Sequence, residues 1–178
     1  MSLRKKLFLL LDIVGIIVLV LADQFTKSLA VAHLKDKPAF NIISGVLELN
    51  YLENKGAAFG MLQNQKAFFI FVAVVILSVI GYVLYKMPDE KKYRLLHVLL
   101  SLIAAGAIGN MIDRIRLDYV VDFIYFVLID FPIFNVADIY VTCATVLFVV
   151  TVLFYYKEED FSFLSIKQNR TKTPDQKD

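Results

Sequence analysis

The residues best suited to chemistry lie in 104–138, AAGAIGNMIDRIRLDYVVDFIYFVLIDFPIFNVAD. This stretch places Asn110, Asp113, Arg114, Asp122, Asn135 and Asp138 at the edges of two apolar runs. Asp23 ends an earlier apolar run, with Lys27 one helical turn further on, close enough to pair. Ionisable groups at the edge of a bilayer are costly unless paired or hydrated, so they mark function by default. Two carboxyl groups held close cannot both ionise easily. The ionised one can take a proton from water while the neutral one donates to a carbonyl oxygen, which is acid–base peptide hydrolysis without a covalent intermediate. No HExxH zinc pattern and no Ser/His or catalytic Cys signature is present, and His33 and His97 stand isolated. Asp23, Asp113, Asp122 and Asp138 all qualify for such a pair, and periodicity does not choose among them. A static polar network is one competing reading, and a small carboxylate-based transporter or ion-binding protein is the other. Transporters usually place their sites near the midplane on broken helices, whereas these charges gather toward one face.

The elements that must hold these groups are read from hydropathy. Of 178 residues, 58% are hydrophobic. A soluble domain of this size could not hide that much apolar surface, so the class is an all-α polytopic membrane protein. Four spans are expected, at about residues 7–28, 67–85, 95–113 and 134–156, all within one membrane-embedded domain of residues 1–156. The first follows Arg4, Lys5 and Lys6 as a signal peptide would, but no small-x-small cleavage site follows it, so it is expected to be retained. Leu47, Leu49 and Tyr51 alternate with Glu48 and Asn50, which is strand periodicity. Ser44 and Gly45 offer a turn before them and Gly56 a break after. A small extracellular β-sheet is therefore expected between helices 1 and 2. Residues 114–132 read as a loop, and 157–178 as a polar, disordered tail.

Basic residues at the N-terminus, in 86–94 and in the tail put both termini in the cytoplasm, although the lysines of the first loop weaken that signal. At a rise of about 1.5 Å per residue, Asp23 lies roughly 24 Å from Leu7, Asp113 roughly 27 Å from Leu95 and Asp138 roughly 27 Å from Tyr156. In a hydrocarbon core about 30 Å thick, all three reach the outer face, where Asp122 also lies. Asp12 is expected to snorkel or hydrogen-bond near the inner surface. The single cysteine, Cys143, excludes an internal disulfide and is expected to be an inert buried thiol. Net charge +2 argues neither way about nucleic acid, and none is expected as a partner. No cofactor and no metal are expected, because hydrolysis by paired carboxylates needs neither.

Five pieces occur in order among the spans: ADQFTK (22–27), ENKGAAFG (53–60), GAIGNMIDR (106–114), VVDF (120–123) and FNVAD (134–138). In type, order and spacing the chain resembles the lipoprotein signal peptidase family, the type II signal peptidases of bacteria. The resemblance covers roughly residues 20–142. It implies an aspartyl endopeptidase of the bacterial cytoplasmic membrane, expected to be a monomer with its active site near the outer face. The implied substrates are prolipoproteins already carrying diacylglycerol, cut on the N-terminal side of the lipidated cysteine, with membrane lipid as the other partner. Carried over by motif, the catalytic pair is Asp122 and Asp138. Asp23, Lys27, Asn54, Gly56, Asn110, Asp113, Arg114 and Asn135 match the positions that bind substrate or support the site. Arg114 is the best placed for substrate contact, because its fork always donates. For each Asn a helix-packing bond is the plain alternative, and for Gly56 and its alanine neighbours simple turn geometry. Ala105 and Gly109 read as a helix-packing pair. The first loop and 114–132 are expected to close over the substrate.

Overall fold

In hydrocarbon only a helix satisfies its own backbone within one segment, so the four apolar stretches fold as helices. The computed structural model describes residues 2–56 and 61–164. It contains α1 (Leu3–Leu34), α2 (Lys66–Lys86), α3 (Arg94–Leu117) and α4 (Val136–Phe154), all long and apolar enough to cross a membrane. α1 and α3 run past the hydropathy-based limits, α2 exceeds them by one residue at each end, and α4 falls two residues inside them at each end. α1 starts on the cap of Ser2 Oγ and continues through Ala30 and Leu34, both buried under a sheet. α3 passes Asp113 and ends where Asp118 turns left-handed at φ 69°. α4 starts at a capping box: Asn135 Oδ1 accepts from Asp138 N, and Asp138 Oδ2 accepts from Asn135 N.

α3 is the central helix and packs against each of the other three. Small residues allow this. A Cβ on Gly106 would lie 2.5 Å from the Ala137 carbonyl oxygen, and one on Gly109 would lie 2.5 Å from Asp23 Oδ2. Ala105, one turn before Gly109 on the same helix, is fully buried. The outer faces of α1, α2 and α4 carry exposed Leu, Ile, Val and Phe, as a lipid-facing surface requires.

The small sheet is present at one end of the bundle and is larger than the first loop alone supplies. β1 (Phe40–Ile43) and β2 (Leu47–Asn54) are joined by β3 (Val120–Phe126) in the antiparallel order β1-β2-β3. The expected loop over 114–132 is thus a strand in its middle. Val121 and Phe123 point into a core with Ala30 and Leu34, while Val120, Asp122, Ile124 and Phe126 line the opposite face. β2 and β3 are hydrogen-bonded to each other, with Leu52 opposite Asp122 and Asn54 opposite Val120. The two segments expected to close over a substrate therefore each contribute a strand to one sheet.

At the other end, Tyr93 and Tyr156 stack at 5.9 Å between ring centres, and Tyr156 OH donates to the Lys92 carbonyl. Residues Glu158–Leu164 form a 3-10 helix here, where no regular structure was expected. Phe161 and Phe163 pack on that tyrosine cluster, and Lys92 pairs with Asp160 at 2.5 Å. Apolar residues spaced by two inside an acidic segment hide this docking from a helical-period reading. The rest of the expected tail, from 165 onward, lies outside the described residues.

Candidate active site

The ten residues matched to the site by motif all lie at the sheet end of the bundle, and together they form a connected network. Asp23 and Lys27 come from α1, Asn54 and Gly56 from β2 and its exit, Asn110, Asp113 and Arg114 from α3, Asp122 from β3, and Asn135 and Asp138 from the start of α4. The chain between β3 and α4 folds back on itself. Ile124 and Phe134 exchange backbone bonds at 2.8 and 3.0 Å, which returns Asn135 to the side of Asp122.

Asn135 joins the two carboxylates. Its Nδ2 donates to Asp122 Oδ1 at 2.6 Å and its backbone N–H to Asp138 Oδ2 at 3.1 Å. The other oxygens also have donors: Asn54 Nδ2 reaches Asp122 Oδ2 at 2.8 Å, and Asn110 Nδ2 reaches Asp138 Oδ1 at 2.8 Å. Asp122 is 1% exposed. Burial, and after it the charge of Asp138, pushes the Asp122 carboxyl up to about 7.

Behind the pair sits a buried cation. Lys27 Nζ lies 3.0 Å from Asp23 Oδ2 and 2.9 Å from Asp113 Oδ2, and it donates to Asn110 Oδ1 at 2.9 Å. Each acid has a second task. Asp23 Oδ1 accepts from Ala137 N at 3.0 Å, tying α1 to the first turn of α4. Asp113 Oδ2 accepts from Val121 N at 3.2 Å, tying α3 to β3. Gln24, which the sequence did not single out, spans these groups by donating to Asp113 Oδ1 at 2.8 Å, Asp23 Oδ2 at 3.3 Å and the Gly109 carbonyl. Its only sequence signal is its place beside Asp23.

Arg114 diverges from Asp113, as adjacent helical residues do. Its guanidinium lies 4.5 Å from the ring centre of Phe69 and donates to the Gly56 carbonyl at 3.1 Å. Phe69 was not singled out either, because an aromatic in a spanning helix has many apolar roles. Gly56 N donates to Asn54 Oδ1 at 2.9 Å, and a Cβ there would run into the Met61 carbonyl oxygen. Turn geometry therefore accounts for this glycine, while Ala57 and Ala58 lie outside the described residues.

Asp122, Asp138, Asn110, Asn54 and Arg114 stand on the wall of an open cleft of about 650 Å³. The rest of the wall is apolar, with Val120, Ile124, Phe126, Phe134 and Ile139 among it. Cys143 also lines it and is exposed, contrary to the expected buried thiol. Hydropathy does not separate the lipid, cleft and core faces of a spanning helix, since all three are apolar. A second polar group lies apart from this site. Asp12, expected near the inner surface, is bonded to His97 Nδ1 at 2.7 Å and to Ser101.

The close contact at Gly109 gives a direct test of the network's packing. Ala at 109 forces its Cβ onto Asp23 Oδ2 and toward Ala137. Overpacking of this kind costs about 1–3 kcal/mol. Gly109→Ala is therefore expected to lower the melting temperature of the detergent-solubilised protein and its activity together. An unchanged melting temperature would show that α1 and α3 can separate freely here.

Comparison with known proteins gives one consistent result. The family model for signal peptidase (SPase) II matches residues 15–154. A lipoprotein signal peptidase of Streptococcus pyogenes serotype M5 (strain Manfredo) is 42% identical over 159 residues, covering 89% of this chain and 98% of the relative. The lipoprotein signal peptidase of serotype M3 (strain SSI-1) of that species is 41% identical over the same length. Two solved bacterial membrane enzymes, both obtained by the in meso method, share the fold. The 2.3 Å structure has TM-score 0.71 and 32% identity, covering 88% of this chain and 93% of its own. The 1.9 Å structure has TM-score 0.70 and 33% identity, covering 82% and 94%.

Proposed function

The chain belongs to the signal peptidase II family, and from that premise we propose that it is a membrane aspartyl endopeptidase acting through Asp122 and Asp138. As a family member it removes signal peptides from prolipoproteins. The finer reading is that the prolipoprotein carries diacylglycerol and is cut on the N-terminal side of the lipidated cysteine. The observation that carries the mechanism is the pair of carboxylates, Asp122 buried and Asp138 half-buried, joined through Asn135 on the wall of an apolar cleft.

Asp122, whose carboxyl is pushed up to about 7, is assigned as the acid of the pair and Asp138 as the base. Asp138 takes a proton from water as the oxygen bonds to the scissile carbonyl carbon. Asp122 gives its proton to the carbonyl oxygen, and a neutral tetrahedral diol forms. On collapse Asp138 returns its proton to the leaving nitrogen, the C–N bond breaks, and Asp122 recovers a proton from the diol hydroxyl. The signal peptide leaves with a new carboxyl group and the lipoprotein with a free amine on its cysteine. Arg114 holds a substrate carbonyl, and Phe69 keeps its guanidinium in place. Asp23, Lys27, Asn110 and Asp113 fix the two acids, and the apolar wall takes the acyl chains.

The orientation follows from the charge at the opposite end of the bundle. Arg4, Lys5, Lys6, Lys91, Lys92 and Arg94 stand there, and the positive-inside rule supports a cytoplasmic place for that end and for both termini. The carboxylates then face outward, at the depth of a lipid headgroup in the outer leaflet, with water available from outside. Residues 1–156 act as one peptidase domain on this reading.

The test uses purified protein with a diacylglyceryl-modified prolipoprotein and with its unlipidated form, each with EDTA in parallel. Product masses that place the cut before the cysteine, only in the lipidated substrate and unchanged by EDTA, support the proposal. Cleavage elsewhere, or equal cleavage of both forms, overturns its specificity. The pH profile gives a second prediction. The proton on Asp122 is present below about 7 and lost above it, so kcat/KM is expected to fall as pH rises through that value. A rate that stays flat from about pH 6 to 9 would remove Asp122 as the acid.

A further inference from the structure

At the end of the bundle away from the carboxylates, a second cleft of about 610 Å³ opens between α1 and α3. Its walls are apolar, with Leu7, Leu11, Gly15 and Leu19 on α1 and Val98 and Leu102 on α3. At its mouth Arg4 and Arg94 converge on one ring. Their Cζ atoms lie 6.0 and 5.8 Å from the centre of Phe8, which itself stacks on His97. Both arginines are exposed. Among the described residues neither forms an ion pair with a carboxylate. Asp89 is within electrostatic reach of Arg4, but its Oδ2 accepts from Ser2 Oγ at 2.6 Å.

Two guanidiniums around one ring repel each other unless an anion lies between them. The N-termini of α1 and α3 meet at the same end, with no acid in either first turn, and add positive potential. Arginine forks suit phosphate oxygens in particular. Below the mouth, the wall from Leu7 to Leu19 runs about 18 Å along α1, by helical rise. One leaflet of hydrocarbon is about 15 Å deep. Asp12, the acid lining this wall, lies about 12 Å along α1 from Arg4. It is only 9% exposed, with His97 and Ser101 on its oxygens, so its charge is turned toward α3.

We infer that this cleft is a binding site for an anionic phospholipid of the surrounding leaflet. Arg4 and Arg94 hold the phosphate, and an acyl chain lies along the wall between Leu7 and Leu19. The wall is open at its middle: a Cβ on Gly15 would meet nothing within 4 Å. A large side chain at 15 fits the fold and fills the groove.

Native mass spectrometry of the full chain, loaded with phosphatidylglycerol or phosphatidylcholine, tests the site. The protein is expected to retain one phosphatidylglycerol in preference to phosphatidylcholine. Each basic residue near a membrane surface contributes about fivefold to anionic lipid binding, so Arg4→Gln/Arg94→Gln should weaken that preference by roughly twentyfold to thirtyfold. Gly15→Phe should displace the lipid while leaving both charges in place. Neither set of changes touches the peptidase site, so retained cleavage reports that each variant is folded. Equal retention of both lipids, or an undiminished preference in the double variant, overturns the inference. Displacement of the lipid by millimolar inorganic phosphate also overturns it, because the mouth would then be a bare anion site without a chain-binding wall.

Discussion

Asparagine in place of Asp138 is expected to lower kcat/KM by about 10²–10⁴-fold, the usual contribution of a positioned acid or base. The change keeps the shape of the side chain and removes its capacity to accept a proton from water. Asparagine at Asp122 should cost as much for the complementary reason, since it cannot give a proton to the carbonyl oxygen. Each carboxylate takes donors on both oxygens, from Asn54 and Asn135 at Asp122 and from Asn110 and Asn135 at Asp138. An amide at either place turns its own N–H₂ toward one of those donors. A stability loss of about 1–3 kcal/mol, the cost of an unsatisfied buried group, should therefore accompany the loss of rate. Melting temperature separates the two effects. The sharper test is the double variant. A pair that works as one unit is already disabled by losing either member, so Asp122→Asn/Asp138→Asn should be no slower than the worse single variant. Additive losses, or a single variant with more than about a tenth of the original rate, would break the assignment. Asp12→Asn serves as the control, because that carboxylate sits with His97 in the separate polar group.

The parts of this architecture visible in the sequence are those that break an apolar background. Four apolar runs gave the helices, and Asp23, Asp113 and Asp138 could be placed at one depth from helical rise alone. The alternation at Leu47, Leu49 and Tyr51 gave β2, because that strand mixes polar and apolar residues. β3 was hidden for the opposite reason. VVDFIYF is apolar on both faces, since one packs on Ala30 and Leu34 and the other lines the cleft. A strand covered on both sides has no period to read. The same uniformity concealed the exposure of Cys143 and the contact of Arg114 with Phe69. The choice of Asp122 and Asp138 over the other acids came from motif resemblance, and the geometry adds a physical contrast. Asp23 and Asp113 each contact Lys27, whereas Asp122 and Asp138 line the cleft.

That contrast makes Lys27 the most consequential single charge outside the pair. Its side chain is 3% exposed and stands between two carboxylates that are themselves buried. Lys27→Met fills a similar volume but leaves Asp23 and Asp113 facing each other without a cation. Removing one partner of a buried ion pair costs about 3–5 kcal/mol, which for a chain of this size corresponds to a fall in melting temperature of roughly 6–20 °C. The rate should fall as well, because Lys27 Nζ fixes Asn110 Oδ1, and the same amide presents Nδ2 to Asp138. Lys27→Arg is not expected to rescue, since a planar fork cannot reproduce three contacts converging on one nitrogen. The cause is separable by neutralising an acid as well. If the penalty is uncompensated buried charge, Lys27→Met/Asp113→Asn should be more stable than Lys27→Met alone, even though it carries one substitution more. Asp113 Oδ2 also holds Val121 N, so recovery should be partial. Should the double variant melt lower than Lys27→Met, the lysine would matter through packing rather than charge, and the buried cation could not be what lets four carboxylates converge at this end of the bundle.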